Sequence, residues 1–365
     1  LTADTNAITI DSNGNNINGS SDDYLINIEG TSAQFIYVDA TRGWVLTDAS
    51  KASDIAIKPA FIVATGGTIT CCGDYKIHTF TGPGTFTVTQ LGNGSTIPTG
   101  GPATVSYMVV AGGGGSGTTF GGGGGGGGGF REGRDIAPSY TASPLADSSG
   151  LPISVTSYPI QVGGGGTAGS TPPNVSGGQG GNSVFSTITS AGGGGGVTGA
   201  QASSTITSDG GSGGGGVHLG MQNVPTRSPD GAAGVGNTPP VSPPQGNPGG
   251  TGQTVPLFNG GGGGGATGSG TAGANPNGGP GGAGATTSIS GTPTAYAGGG
   301  GGGGYVTAGG TGGTGGGGPG GGQSTVGTNG TTNTGGGAGG TGGLCGPFPG
   351  ATGGSGIVVI RYKYQ

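Results

Sequence analysis

Charge is scarce in this 365-residue chain, where Asp, Glu, Lys and Arg together make up 6% of the residues and most of them fall in the first 80 positions. Nucleic-acid binding needs a stripe of Lys and Arg to neutralise phosphates, and nine scattered basic residues under a net charge of -5 exclude that class. Long apolar runs are missing as well. No stretch approaches the roughly 20 apolar residues that span a bilayer as a helix, and no charged start precedes a hydrophobic run, so neither a membrane helix nor a secretion signal is visible. The chain opens on Leu1 in mid-pattern, and we expect a processed product or the distal part of a longer polypeptide. Cysteine is limited to three residues, the adjacent pair Cys71 and Cys72 and the distant Cys345, which have neither metal-ligand spacing nor an even count and so exclude a disulfide framework. Two readings stay open: one bridge from Cys345 to Cys71 or Cys72, or small buried thiols. Helical periodicity is absent throughout.

Glycine is abundant instead. The great majority of the 105 glycines lie between residues 112 and 356, with pure runs at Gly121–Gly129, Gly192–Gly196, Gly260–Gly265 and Gly298–Gly304. A run of glycine has no side chain to bury and loses more backbone entropy on folding than any other residue type. Collagen is excluded, because it needs glycine at every third position and abundant proline, and only 24 prolines are present. A bundle of polyglycine II helices satisfies the composition: such extended threefold helices bond outward to close neighbours, and only glycine permits that approach on every side. At about 3.1 Å per residue, the run from Gly121 spans roughly 28 Å. A flexible linker is the competing reading.

The rest of the chain reads as β-structure. Short β-branched and aromatic runs bounded by Asn, Asp and Gly predict a β-meander over residues 1–50. A second β domain covers 51–111 and is completed by 357–365, whose run Gly356-Ile357-Val358-Val359-Ile360-Arg361-Tyr362 should return to pair near Tyr107 to Val110. Between them lies the glycine bundle, 112–356. Within it non-glycine residues recur every third position, as in Ala308, Thr311 and Thr314, in Ala338, Thr341 and Leu344, in Pro280 and Ala283, and in Gln179 and Asn182. A threefold helix puts each such set on one edge, so these rows should lie outside and the pure runs where neighbours crowd. Stretches rich in Pro, Ser, Thr and Asn, the longest being Arg131 to Pro159 and Val217 to Asn259, read as connecting loops able to carry recognition.

Thr79-Phe80-Thr81-Gly82-Pro83-Gly84-Thr85-Phe86-Thr87-Val88, then Tyr107-Met108-Val109-Val110-Ala111-Gly112 and the closing Ile357 to Tyr362, resemble the glycine-rich domain of phage tail-fibre and appendage proteins. Gly180-Gly181-Asn182-Ser183-Val184-Phe185 is similar to that domain's internal turn, and Ile8 to Ser20 through Trp44 resembles a β-module of phage fibre shafts. The resemblance implies an all-β fold with a polyglycine II sandwich closed by a C-terminal strand, N-terminal shaft-like modules and essentially no α-helix. It further implies a homotrimer in a virion tail or fibre tip, whose partners are other fibre or baseplate proteins and a bacterial surface receptor, either glycan or outer-membrane protein.

Residues able to catalyse are poorly placed. His78 lies in an alternating strand and His218 in a glycine-flanked loop, without nucleophile or carboxylate partners, and Glu132 and Asp135 interleave with Arg131 and Arg134 as a charge cluster. Matches to G-x-G-x-x-G carry no information at this composition. We therefore expect no enzyme, cofactor or metal, and a binding surface of hydroxyls, amides and isolated aromatics. Its candidate residues are Phe130, Arg131, Arg134, Tyr140, His218, Met221, Arg227, Phe258, Tyr296 and Tyr305. Packing against the bundle's edge is the alternative for each ring, above all for Phe130, Phe258 and Tyr305 beside glycine runs. Besides host recognition, the composition admits a purely structural virion fibre or decoration protein, and an ice-binding bundle.

Overall fold

The computed structural model of the chain describes residues 6–27, 32–49, 59–94, 100–118, 120–135, 140–171, 175–198, 208–217, 232–253, 258–343 and 348–365. Among them there is no helix; the regular elements are β-strands. Two compact units are present, one formed by Leu1–Val63, Gln90–Ala103 and Gln365, the other by Ala64–Thr89 and Thr104–Tyr364.

In the first unit, β1 (Ile8–Ile10) pairs antiparallel with β2 (Tyr24–Ile26), and β3 (Ala33–Asp39) pairs antiparallel with β4 (Gly43–Ala49). Asp39 sets the β3–β4 turn, its carboxylate accepting the Thr41 and Arg42 amides at 2.8 and 2.7 Å. Gly43 follows at φ +66°, where a Cβ would run into the Asn16 carbonyl, so glycine is required there. Tyr24 stands edge-on to Phe35 at 5.0 Å and Tyr37 to Trp44 at 5.5 Å.

The second unit is built on two large sheets and one separate antiparallel strand pair. Its strands are β5 (Val63–Thr65), β6 (Thr68–Cys72), β7 (Tyr75–Phe80), β8 (Gly84–Gln90), β9 (Thr104–Val110), β10 (Phe130–Gly133), β11 (Ala146–Asp147), β12 (Leu151–Pro152), β13 (Ser157–Gln161), β14 (Ser183–Phe185), β15 (Ile188–Ser190), β16 (Ala285–Thr287), β17 (Thr294–Tyr296) and β18 (Ile357–Lys363). One large sheet runs β11-β10-β9-β18-β7-β6 with β12 also on β9, the other runs β15-β14-β13-β8-β5, and β16 pairs antiparallel with β17. The C-terminal strand returns as its sequence predicts, with Ile357 opposite Val110 and Ile360 opposite Tyr107, and it closes the sheet between β9 and β7.

Every residue of β18 is buried. Its first four residues, Ile357 to Ile360, form the apolar run that burial on both faces demands, and Arg361 and Lys363 are buried after them, the Arg361 guanidinium lying over the Tyr75 and Tyr140 rings at 4.8 and 5.2 Å. Tyr362 faces the second sheet, its ring 5.5 Å from His78 and 6.3 Å from Phe86. Ile357 and Val359 face a cluster of Met108, Val110, Phe130, Tyr140, Ile289 and Tyr296. Two corrections to the sequence reading follow. The stretch from Arg131 to Pro159, read as a loop, contributes β10 to β13, and Cys71 is exposed rather than a buried thiol. Cys71 and Cys72 are both free, and Cys345 lies outside the described residues.

The glycine segments hydrogen-bond with a period of three. Along the longest run, Gly122, Gly125 and Gly128 donate to Thr341, Ala338 and Gly335 at 2.8, 2.7 and 2.8 Å. Gly123, Gly126 and Gly129 donate to Val197, Gly194 and Ala191, and Gly124 and Gly127 to Gly261 and Gly264. Its carbonyls accept from three further segments: Gly122 and Gly125 from Gly303 and Gly300, Gly124 and Gly127 from Gly215 and Ser212, and Gly123, Gly126 and Gly129 from Gly117, Gly114 and Ala111. Every third residue thus bonds to the same neighbouring segment. Neighbours on every side leave no room for side chains. A Cβ at Gly125 would strike the Gly114 carbonyl, and one at Gly301 the Gly310 carbonyl.

Burial of this main chain is tolerable only because its amides are partnered, each such bond contributing about 0.5–1.5 kcal/mol net. The pure runs at 121–129, 192–196, 260–265 and 298–304 are wholly buried. Rows at every third position fall outside as predicted for Ala308, Thr311 and Thr314, for Pro280 and Ala283, and for Gln179 and Asn182, all exposed. Ala338 and Thr341 are the exception, both fully buried, with the Thr341 hydroxyl donating to the Pro349 carbonyl at 2.9 Å. Leu344, the third member of that row, lies outside the described residues.

Candidate functional site

Strands gather at one end of the glycine segments and define their base. Segment 111–118 leaves β9, 121–129 returns into β10, and 297–304 leaves β17. The opposite, distal end is fixed by the bonds of Gly260 N to the Gly303 carbonyl and of Gly303 N to the Gly122 carbonyl, at 2.9 and 2.8 Å. Three of the pure runs therefore end side by side. Each carries an aromatic residue there: Phe120 precedes Gly121, Phe258 lies two residues before Gly260, and Tyr305 follows Gly304.

The rings form one cluster. Tyr305 meets Phe258 edge-on at 5.3 Å and Phe120 at 6.4 Å, the planes of Tyr305 and Phe120 being inclined by 31°. Phe258 and Tyr305 are half-buried, and Phe120 is 40% exposed. Asn259 fixes the group from beneath. Fully buried, it accepts the Tyr305 amide on Oδ1 at 2.9 Å and donates through Nδ2 to the Ala274 carbonyl at 3.1 Å and to Gln253 Oε1 at 3.3 Å. This side chain takes over where the threefold pattern of main-chain partners ends. Phe120 itself sits at φ +51°, a left-handed conformation that costs a non-glycine residue about 1–2 kcal/mol. Strain of this kind persists where the surroundings enforce it and concentrates at functional sites.

Beside the rings runs a groove of about 290 Å³, lined by Thr271, Asn275, Pro276, Asn277, Pro280 and Thr311 among others. It adjoins the cluster at two points. Ala274, in its wall, is the residue that Asn259 holds, and the Thr307 hydroxyl, two residues beyond Tyr305, donates to the Pro276 carbonyl.

Of the ten residues singled out in the sequence, Phe258 and Tyr305 come together here. Phe130, Tyr140 and Tyr296 do not: they are 1%, 9% and 4% exposed, packed in the base cluster against β18, and they are corrected from surface to core residues. Phe130 was placed by the strand it begins, paired with Val110, and Tyr140 lies under the Arg361 guanidinium at 5.2 Å. Arg131 is half-buried on β10, and Arg134 is exposed, just beyond that strand, with its amide donating to the Asp147 carbonyl. Both belong to the base. His218, Met221 and Arg227 lie outside the described residues. Phe120 was missed, although its place before the nine-glycine run mirrors that of Phe130 after it.

Titratable groups at the base are committed internally. Glu132, 2% exposed, accepts the Ser143 amide at 2.9 Å and the Thr287 hydroxyl at 2.6 Å. Burial, reinforced by the Glu132 charge, holds the Tyr140 phenol well above its ordinary range. His78 is fully buried, with Nδ1 at 2.7 Å from the Gly66 carbonyl and Nε2 at 3.0 Å from the Tyr362 hydroxyl. Burial lowers its pKa below the usual 6.5 and pushes that of Tyr362 up to about 12. Among the described residues no cluster of three His, Cys, Asp or Glu side chains could hold a metal ion.

No curated protein matches the chain. The family model of the glycine-rich domain matches residues 83–363, from the turn before β8 to the end of β18, and the chain belongs to that glycine-rich domain family.

Proposed function

We propose that the chain is a component of a phage virion fibre that recognises a receptor on the bacterial surface, and that it does so with the distal end of its glycine bundle. The observation that carries this reading is the convergence of Phe120, Phe258 and Tyr305 on the ends of three mutually bonded glycine runs. A bundle held by main-chain hydrogen bonds fixes its loops without a side-chain core, so the ordering cost of binding is met in advance. The engagement of His78 and Glu132 in internal hydrogen bonds supports binding rather than catalysis. In the same reading the chain assembles as a homotrimer alongside other fibre or baseplate proteins.

The test is direct. Fluorescently labelled protein should decorate susceptible bacteria and, in excess, protect them from infection, and Tyr305→Ala should weaken both effects. Decoration of no strain across a broad host panel would instead favour a purely structural fibre protein.

A further inference from the structure

Building on the distal end as a recognition surface, we propose that its ligand is an uncharged glycan, with pyranose faces stacked on Phe120 and Tyr305 and the sugar chain continuing into the adjoining groove. Three observations converge on this class. The first is the pair of rings at 6.4 Å, one of them 40% exposed and held outward by a strained turn. Aromatic faces pack against the apolar C–H face of a sugar, and rings held in advance lose little freedom on binding.

The second is the groove. Its lining combines prolines with the hydroxyls of Thr271 and Thr311 and the amides of Asn275 and Asn277, groups that hydrogen-bond neutral hydroxyls in either sense. Its volume of about 290 Å³ suits one or two sugar rings. A folded protein partner ordinarily covers about 800 Å² on each side, a much broader surface.

The third is charge. Among the described residues beyond Thr104, charged side chains belong to the base strands and the stretches joining them, apart from Asp209, whose carboxylate accepts the Val235 amide at 2.8 Å. The described distal surface offers neither cation nor anion to a ligand. Among the described residues, none would replace the solvation that a phosphorylated or acidic saccharide loses there.

Full-length protein should be probed on an array of neutral oligomers of glucose, galactose, mannose and rhamnose beside sialylated and phosphorylated ones, with Kd values then taken by titration. We expect a neutral class to bind, with a Kd nearly constant between about 50 and 500 mM salt because no ion pair is screened. Phe120→Gly removes one ring while relieving the left-handed strain, so it should fold at least as well and bind about tenfold more weakly. Tyr305→Ala should weaken binding similarly, and Tyr305→Phe should retain it. Binding of no neutral oligomer, preference for charged ones, or an unchanged Kd in Phe120→Gly would overturn the inference. Cell labelling separates it from the adhesion reading: labelling lost on periodate oxidation of surface sugars supports the glycan. Labelling that survives periodate and is lost on protease treatment defeats the glycan while leaving adhesion intact, and labelling of no cell defeats adhesion alone.

Discussion

A single methyl group distinguishes the glycines that build the bundle from those that merely occupy it. At Gly125 and Gly301 an added Cβ would collide with a carbonyl of a neighbouring segment, main chain that can yield only by breaking its own hydrogen bonds. Overpacking costs about 1–3 kcal/mol, and each buried amide stranded by the shift adds a similar amount. Gly125→Val and Gly301→Val should therefore lose several kcal/mol in chemical denaturation, or fail to accumulate as soluble protein. Gly164 is the control. It is exposed, with nothing within 4 Å of its Cβ position, so Gly164→Ala should match or exceed the parent by up to about 1 kcal/mol through a stiffer unfolded chain. Equal damage from all three substitutions would refute the close-packed arrangement. At the same scale His78 sets a pH dependence. Its folded pKa is lowered by burial, so the unfolded chain binds more protons below pH 6.5, and stability present above that value declines as pH falls toward the folded pKa. The melting temperature should drop between about pH 7 and pH 5, and His78→Gln should flatten that part of the profile.

Elements differ in how openly the sequence displays them. Strands such as Tyr75–Phe80, Thr104–Val110 and Ile357–Lys363 were legible because β-branched and aromatic runs bounded by turn residues have few other uses. The period of three was legible too, since Ala308, Thr311 and Thr314 mark an outer edge by being something other than glycine. The pairing of segments was not, because a glycine run looks the same to every neighbour. Ala338 and Thr341 show the consequence, a row that fits an outer edge yet is buried. The distal site was half legible. Phe258 and Tyr305 were found as rings beside glycine runs, but Phe130 had the same signature and only its pairing with Val110 assigns it to the base. That pairing was itself within reach: if Thr104–Val110 starts at the base, the turn after Thr118 must be distal, and Phe120 with it. Two outcomes follow for elements. A chain ending at Gly356 lacks the strand between β9 and β7 and should not fold, as judged by loss of the cooperative melt and rapid proteolysis. Asn259→Leu keeps the side chain's size but strands the Tyr305 amide, and it should cost about 1–3 kcal/mol in denaturant titration.

At the scale of the whole molecule, the described part of the first unit leaves several large apolar side chains exposed, Ile8, Ile36, Tyr37, Val38 and Trp44 among them. A two-stranded sheet is marginal in water unless one of its faces packs on something. In the β3–β4 pair, Phe35 meets Tyr24, whereas Ile36, opposite Val45, is 50% exposed and Val38 is 53% exposed. Successive strand residues alternate between faces, so Ile36 lies on the side away from Phe35. Ile36 and Val38, two residues apart on β3, are the most exposed large apolar side chains of this strand pair and so the first place to test for association between copies. In the proposed homotrimer this is the face that copies of the chain would bury against one another. Replacing Ile36 and Val38 together by serine should leave the monomer's fold largely undisturbed, because neither side chain is buried within it. Light scattering coupled to size-exclusion chromatography should then report a single chain where the parent gives three. The glycine bundle supplies the internal reference. Its backbone hydrogen bonds lie within one chain, so the amides of 121–129 and 298–304 should keep their slow deuterium exchange in the monomeric variant. Fast exchange there would mean that the bundle depends on assembly, and a parent protein that already runs as a monomer would remove the trimer from the proposed function.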